Sequence, residues 1–154
     1  MSRQLLLLGL FTLTLVGCSG ETSQSTETLD YSKEGPDGPN AQQEFSTTES
    51  GLKYRILREG SGEKPAVTDR VAVSYRGWLE DGTEFDSSYL RSEATEFGLN
   101  QVIPGWTEGM QLVAEGGKIE LTIPPEIGYG PGGAPPVIPP NAKLHFIVEL
   151  HEIK

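Results

Sequence analysis

The stretch Gln101-Val-Ile-Pro-Gly-Trp-Thr-Glu-Gly-Met110 narrows the choice of fold more than any other part of the chain. Pro104 and Gly105 suit the first turn of a helix, where the N–H that proline lacks would have no intrahelical partner. Trp106, Met110 and Val113 then fall at i, i+4 and i+7, one apolar stripe. Val102 and Ile103 sit just ahead, on the loop leading in. A short helix with so bulky a stripe needs a sheet to cover it. The expectation is a pocket between helix and sheet, floored by Trp106, with the Ile103 backbone N–H at its rim.

The flanking segments read as strands with one apolar face each. In 52–57, Leu52, Tyr54 and Ile56 alternate with Lys53 and Arg55. In 70–79, Val71, Val73, Tyr75 and Leu79 share a face, with Gly77 among them. Asp81-Gly82 is a hairpin turn signal, and Thr83 to Asp86 returns. Glu96 to Leu99 reads as a short strand. After the helix, Gly116-Gly117 breaks the chain, and Ile119, Leu121 and Ile123 alternate with polar partners. Residues 125–141 read as a long loop, a length that in a compact domain is usually functional. In 143–153, Leu144, Phe146, Val148 and Leu150 share a face. The fold class is α+β, a mainly antiparallel β-sheet wrapped over one short α-helix.

The start of the chain is a different kind of sequence. Arg3 precedes an apolar run from Leu5 to Val16. That run is too short to span a bilayer, which takes about 20 residues, and fits a secretory signal. It ends at Gly17-Cys18, which resembles a bacterial lipoprotein signal, so residues 1–18 are expected to be a signal peptide with Cys18 as the lipidated residue. Cys18 is the only cysteine in the chain. Ser19, in place of an aspartate, leans the expected location to the periplasmic side of the outer membrane. Residues 19–50 are rich in Ser, Thr, Glu, Gln, Gly and Pro and read as a flexible linker, with Tyr31 and Phe45 as isolated aromatic exceptions. The globular domain is expected over 51–154. A net charge of −10 over 154 residues argues against nucleic-acid binding.

Four segments carry a family resemblance: Tyr75-Arg-Gly-Trp-Leu-Glu-Asp-Gly-Thr-Glu-Phe-Asp-Ser-Ser88, Val102-Ile-Pro-Gly-Trp-Thr-Glu-Gly109, Tyr129-Gly130, and Val137-Ile-Pro-Pro-Asn-Ala-Lys-Leu-His-Phe-Ile-Val-Glu-Leu150. In this order and spacing they resemble the FKBP family of peptidyl-prolyl cis–trans isomerases, over the whole of 51–154. The resemblance implies an isomerase acting on proline-containing polypeptides, with an envelope chaperone or binding module of little turnover as the alternative. It implies a substrate pocket lined by Tyr75, Phe85, Asp86, Val102, Ile103, Trp106, Tyr129 and Phe146. Phe97 matches a family aromatic, and Val137 and Ile138 match a loop over the pocket. Trp106 would floor the site for the proline ring. Ile103 N–H and the Tyr129 hydroxyl would donate to substrate carbonyls. Asp86 would lie beside the twisting amide, oriented by Tyr75 and Arg91. The chain has Thr95 where many members have an aromatic, and Ala134 where some have a histidine. Both would lie at the rim and bear on sequence preference and on affinity for macrolide inhibitors.

The reaction so implied needs no nucleophile, metal or cofactor, and none is expected. On their own, Trp106, Phe85, Val102 and Phe146 are also ordinary core types. Asp86 could serve as a structural cap or an ion-pair partner of Arg91. His145 and His151 read as solvated on the outward face of the last strand, and Glu80 and Asp81 as solvated turn residues. Nothing resembles the long N-terminal dimerisation helices of some bacterial relatives, so a monomer is expected.

Overall fold

The computed structural model describes residues 41–89, 91 and 94–154. Cys18 and Tyr31, with the signal and most of the linker read from the sequence, lie outside the described residues. Among the described residues seven strands and one α-helix follow in order: β1 (Ser46–Thr47), β2 (Lys53–Arg58), β3 (Arg70–Leu79), β4 (Glu84–Ser87), β5 (Thr95–Gly98), α1 (Pro104–Met110), β6 (Lys118–Ile123) and β7 (Leu144–Ile153). The strands form one antiparallel sheet in the order β1-β2-β6-β7-β3-β4, with β5 also on β3. This is the α+β architecture expected from the sequence.

The period-2 pattern decides which face is covered. Val71, Val73 and Tyr75 of β3, Ile119, Leu121 and Ile123 of β6, and Leu144, Phe146, Val148 and Leu150 of β7 are all buried. They pack in one cluster with Trp106, Met110 and Val113. Burying each such side chain is worth roughly 1.5–3 kcal/mol, so this layer, more than helix propensity, holds the seven-residue α1 in place. Two glycines let α1 lie close to the sheet. A Cβ at Gly105 would come within 2.5 Å of Ile123 Cγ2, and one at Gly109 within 2.7 Å of Leu121 Cδ2. Pro104 stands in the first turn and Ile103 is the N-cap, as the sequence implies. Thr107 Oγ1 donates to Leu99 O at 2.6 Å and ties the helix to the 3₁₀ turn Leu99–Gln101 before it.

The edge partner of β3 is divided. β5 pairs with its first half, from Arg70↔Gly98 to Val73↔Thr95, and β4 with its second, from Arg76↔Ser87 to Trp78↔Glu84. Between them the chain leaves β3 at Ser88. That residue still bonds Tyr75 in both directions: its N–H donates to Tyr75 O at 2.8 Å and its Oγ accepts from Tyr75 N–H at 2.7 Å.

Several expectations need correction. The linker expected to run to residue 50 is shorter: β1 pairs with β2, and Gln42 N–H donates to Ile56 O. Phe45 lies under the Arg55 guanidinium at 4.9 Å, so it is part of the folded unit. The alternation holds for Leu52, Tyr54 and Ile56, which lie in or against the core; Leu57, at a register shift between Ile56 and Arg58, is fully buried as well. The loop 125–141 contains two 3₁₀ turns, Pro125–Ile127 and Gly130–Gly132, and a bridge between Ala134 and Ile138. His145 is not solvated; its ring stacks on Trp78 at 5.8 Å and Nδ1 lies 3.2 Å from Thr122 Oγ1. His151 and Glu80 are exposed as expected, while His151 Nε2 lies 2.8 Å from Ser74 Oγ and Glu80 pairs with Lys143 across the surface.

Candidate functional site

Between α1, the inner face of the sheet and the loop after β6 lies a cleft of about 590 Å³. All eleven residues expected to line a substrate pocket line it: Tyr75, Phe85, Asp86, Phe97, Val102, Ile103, Trp106, Tyr129, Val137, Ile138 and Phe146. Ala134 joins them. Gln101 does too, and the sequence reading missed it; its only signal was adjacency to Val102. Thr95 does not line the cleft, because it opens β5 opposite Val73.

Trp106 is the hub of the apolar part. Only 4% of its surface is exposed. Its indole meets Tyr75, Phe97 and Phe146 edge to face, at 5.3, 5.6 and 5.4 Å between centroids. Phe85 in turn meets Phe146 at 5.4 Å and 85°. Such T-shaped pairs set the positive ring edge against the negative face and add about 0.5–1.5 kcal/mol each beyond burial. Four rings on β3, β4, β5 and β7 are thereby fixed around one indole on α1. The resulting hollow is apolar and suits a small compact ring.

The polar groups sit at the rim. Tyr75 donates its hydroxyl hydrogen to Asp86 Oδ2. Arg91 Nη2 donates to that same hydroxyl oxygen at 2.9 Å and to Asp86 Oδ1 at 3.3 Å. Burial, with the Asp86 hydrogen bond second, pushes the Tyr75 phenol up to about 12, against an opposing pull from Arg91. Tyr75 therefore stays a neutral donor, and Asp86 is held by two donors at once although its side chain is 47% exposed. Ile103 caps α1 with extended backbone, and its carbonyl accepts from Trp106 and Thr107. Its own N–H has no hydrogen-bond acceptor among the described residues. The Tyr129 hydroxyl likewise has no partner among them, and this residue is 43% exposed at the mouth. Val137 is exposed beside it and Ile138 is buried.

A short helix under an antiparallel sheet, with an aromatic cleft between them and unused donors at its rim, has the shape and chemistry for a compact apolar group flanked by amides. Residues 61–151 match the FKBP-type peptidyl-prolyl cis-trans isomerase family, and the chain belongs to that family. The FKBP-type 22 kDa peptidyl-prolyl cis-trans isomerase of Escherichia coli is 54% identical over 115 residues, covering 74% of this chain and 56% of that protein. FkpA of Escherichia coli is 52% identical over 108 residues, covering 70% of this chain and 40% of that protein. The crystal structure of Escherichia coli FkpA superimposes with a TM-score of 0.70 at 50% identity, over 73% of this chain and 53% of that one. The chain thus spans about half the length of the curated relatives it matches.

Proposed function

We propose that this domain catalyses cis–trans isomerisation of X–Pro bonds in polypeptides. One observation carries the reading: two donors without acceptors among the described residues, Ile103 N–H and the Tyr129 hydroxyl, stand at the rim of an apolar cleft floored by Trp106. The proline ring occupies the hollow over Trp106. Substrate carbonyls accept from Ile103 and Tyr129. Asp86, held by Tyr75 and Arg91, faces the amide that turns.

The uncatalysed barrier is about 18–20 kcal/mol, and the X–Pro bond isomerises in tens to hundreds of seconds. No bond is broken, so proximity and solvation have to supply the acceleration. The planar amide places charge on its oxygen through resonance, and the twisted transition state loses that charge separation. A dry cleft therefore disfavours the planar state relative to the twisted one. Fixing the ring while the preceding carbonyl rotates adds orientation.

The proposal extends to where the domain works. Lipidation at Cys18 would hold it at the bacterial envelope, with the periplasmic side of the outer membrane favoured by Ser19. Its clients would be exported polypeptides, its inhibitors macrolides, and its working state a monomer. Fatty-acid labelling that Cys18→Ala abolishes supports the anchor, and labelling that persists in that variant refutes it.

The test of activity is NMR exchange on a short X–Pro peptide series with the wild-type protein. Exchange above the uncatalysed rate is expected. Peptide bound without faster exchange would replace the isomerase reading with that of a holding chaperone.

A further inference from the structure

Asp86 and Arg91 face each other with about half of each side chain in solvent, 47% and 50% exposed. Surface pairs of this kind are worth little by themselves, typically below 1 kcal/mol. Something else must keep the loop after β4 where Arg91 can reach both Asp86 and the Tyr75 hydroxyl. Ser88 fixes the base of that loop to the Tyr75 backbone, and Arg91 N–H closes a turn onto Ser88 O at 2.8 Å. A single tether at the base leaves the direction of the turn open.

The second tether is Tyr89. Its hydroxyl donates to Glu149 Oε1 at 2.9 Å, across 60 residues of sequence. Glu149 stands on β7, opposite Ser74 of β3, on the face of the sheet away from the cleft. Its carboxylate is also held by Arg58 Nη2 at 3.1 Å and by the buried Lys118 ammonium at 3.4 Å. Burial works against its charge, but Lys118, the Tyr89 hydroxyl and Arg58 outweigh this and keep its pKa below the usual carboxylate value. The acceptor for Tyr89 is therefore charged, and it is braced from two strands, β2 and β6. The outer-face cluster is thereby linked through Tyr89, the neighbour of Ser88, to Arg91, whose N–H is held by Ser88 O at the cleft rim.

We propose that Tyr89 and Glu149 are positioning residues for the isomerase site, acting through Arg91 on the Tyr75–Asp86 pair. The inference rests on the isomerase reading above. Neither residue lines the cleft.

The experiment is a double-mutant cycle of Tyr89→Phe and Arg91→Ala in the full chain, read as kcat/KM for X–Pro exchange. The same samples give the Arg91 Nε–H signal by NMR. Tyr89→Phe removes only the hydroxyl. It is expected to lower kcat/KM roughly two- to fivefold, a fraction of what one hydrogen bond to a charged group can supply. It should cost nothing further once Arg91 is alanine. The Arg91 signal should move toward that of a free side chain in Tyr89→Phe and in Glu149→Ala. An equal loss with and without Arg91, or an Arg91 signal unchanged in Tyr89→Phe, overturns the assignment. Absence of turnover in the wild type would instead overturn the isomerase reading, while the Arg91 signal would still report on the tether.

Discussion

Phe85 and Phe146 meet edge to face over Gly77, and the glycine is what makes room for them. Gly77 lies in the ladder opposite Phe146 on one side and Asp86 on the other. A Cβ there would fall 2.6 Å from Phe146 Cε1 and 2.7 Å from Phe85 Cζ. Phe146 is set against Trp106 and Phe85 against Phe146, so the two rings cannot simply swing away. Gly77→Ala is expected to cost about 1–3 kcal/mol, the usual range for overpacking, and to push the Phe85 wall into the cleft. Urea melts should show the stability loss, and titration with a proline-containing peptide should show weaker binding. Unchanged peptide affinity in the folded variant would mean that Gly77 does not shape the cleft.

The helix glycines carry a prediction of opposite sign to propensity. Alanine is favoured over glycine in a helix interior by about 1 kcal/mol. At Gly109, however, a Cβ would meet Leu121 Cδ2 at 2.7 Å and Cδ1 at 2.8 Å, and Leu121 is fully buried in β6 beside Phe146 of β7. Overpacking should exceed the propensity gain, for a net loss of about 1–2 kcal/mol. Thermal or urea unfolding of Gly109→Ala checks this. A variant more stable than wild type would show that α1 can lift from the sheet without strain.

The parts legible in the sequence were those with a local pattern. The Trp106–Met110–Val113 stripe and the alternation in β3, β6 and β7 repeat within a few residues, and each placed its core face correctly. The lining of the cleft was implied by the family resemblance that four segments carry, and the fold does bring those segments together. What escaped the reading depends on distant partners. β1 is two polar residues, Ser46 and Thr47, too short to show any period; it forms because β2 presents an open edge. Leu57, outside the Leu52–Tyr54–Ile56 alternation, is fully buried at a register shift. Gly77 has no local signature as a ring spacer, and the Tyr89–Glu149 bond joins residues that nothing in the sequence pairs.

The rim pair should behave as one contributor among several. Accelerating the reaction roughly 10⁵-fold takes about 7 kcal/mol off the barrier, whereas a single charge-assisted hydrogen bond supplies about 1.5–3 kcal/mol. Asp86→Ala is therefore expected to reduce kcat/KM about ten- to a hundredfold. Tyr75→Phe should cost less, because Arg91 still holds the carboxylate at 3.3 Å. NMR exchange on one X–Pro peptide ranks the two. If Asp86→Ala lost all activity with its fold intact, distributed catalysis would be the wrong account.

His145 gives the outer face a pH dependence. Its ring lies nearly parallel to that of Trp78, at 16°, and Thr122 Oγ1 sits beside Nδ1. Burial lowers its pKa below the ordinary 6.5; Lys143 lowers it further, while Glu80 and Glu120 pull the other way and do not prevail. The unfolded chain then takes up the proton more readily than the folded one as pH falls below 6.5. The stability contribution is complete above that value and is lost as pH falls through the lower folded pKa. His145→Gln removes the titration but keeps a polar group for Thr122. Urea unfolding of both proteins at pH 7.5, 6.5 and 5.5 should show the wild type losing stability relative to the variant on going down the series. Parallel curves would show that the folded protein does not discriminate against the imidazolium, and that the stack on Trp78 tolerates charge.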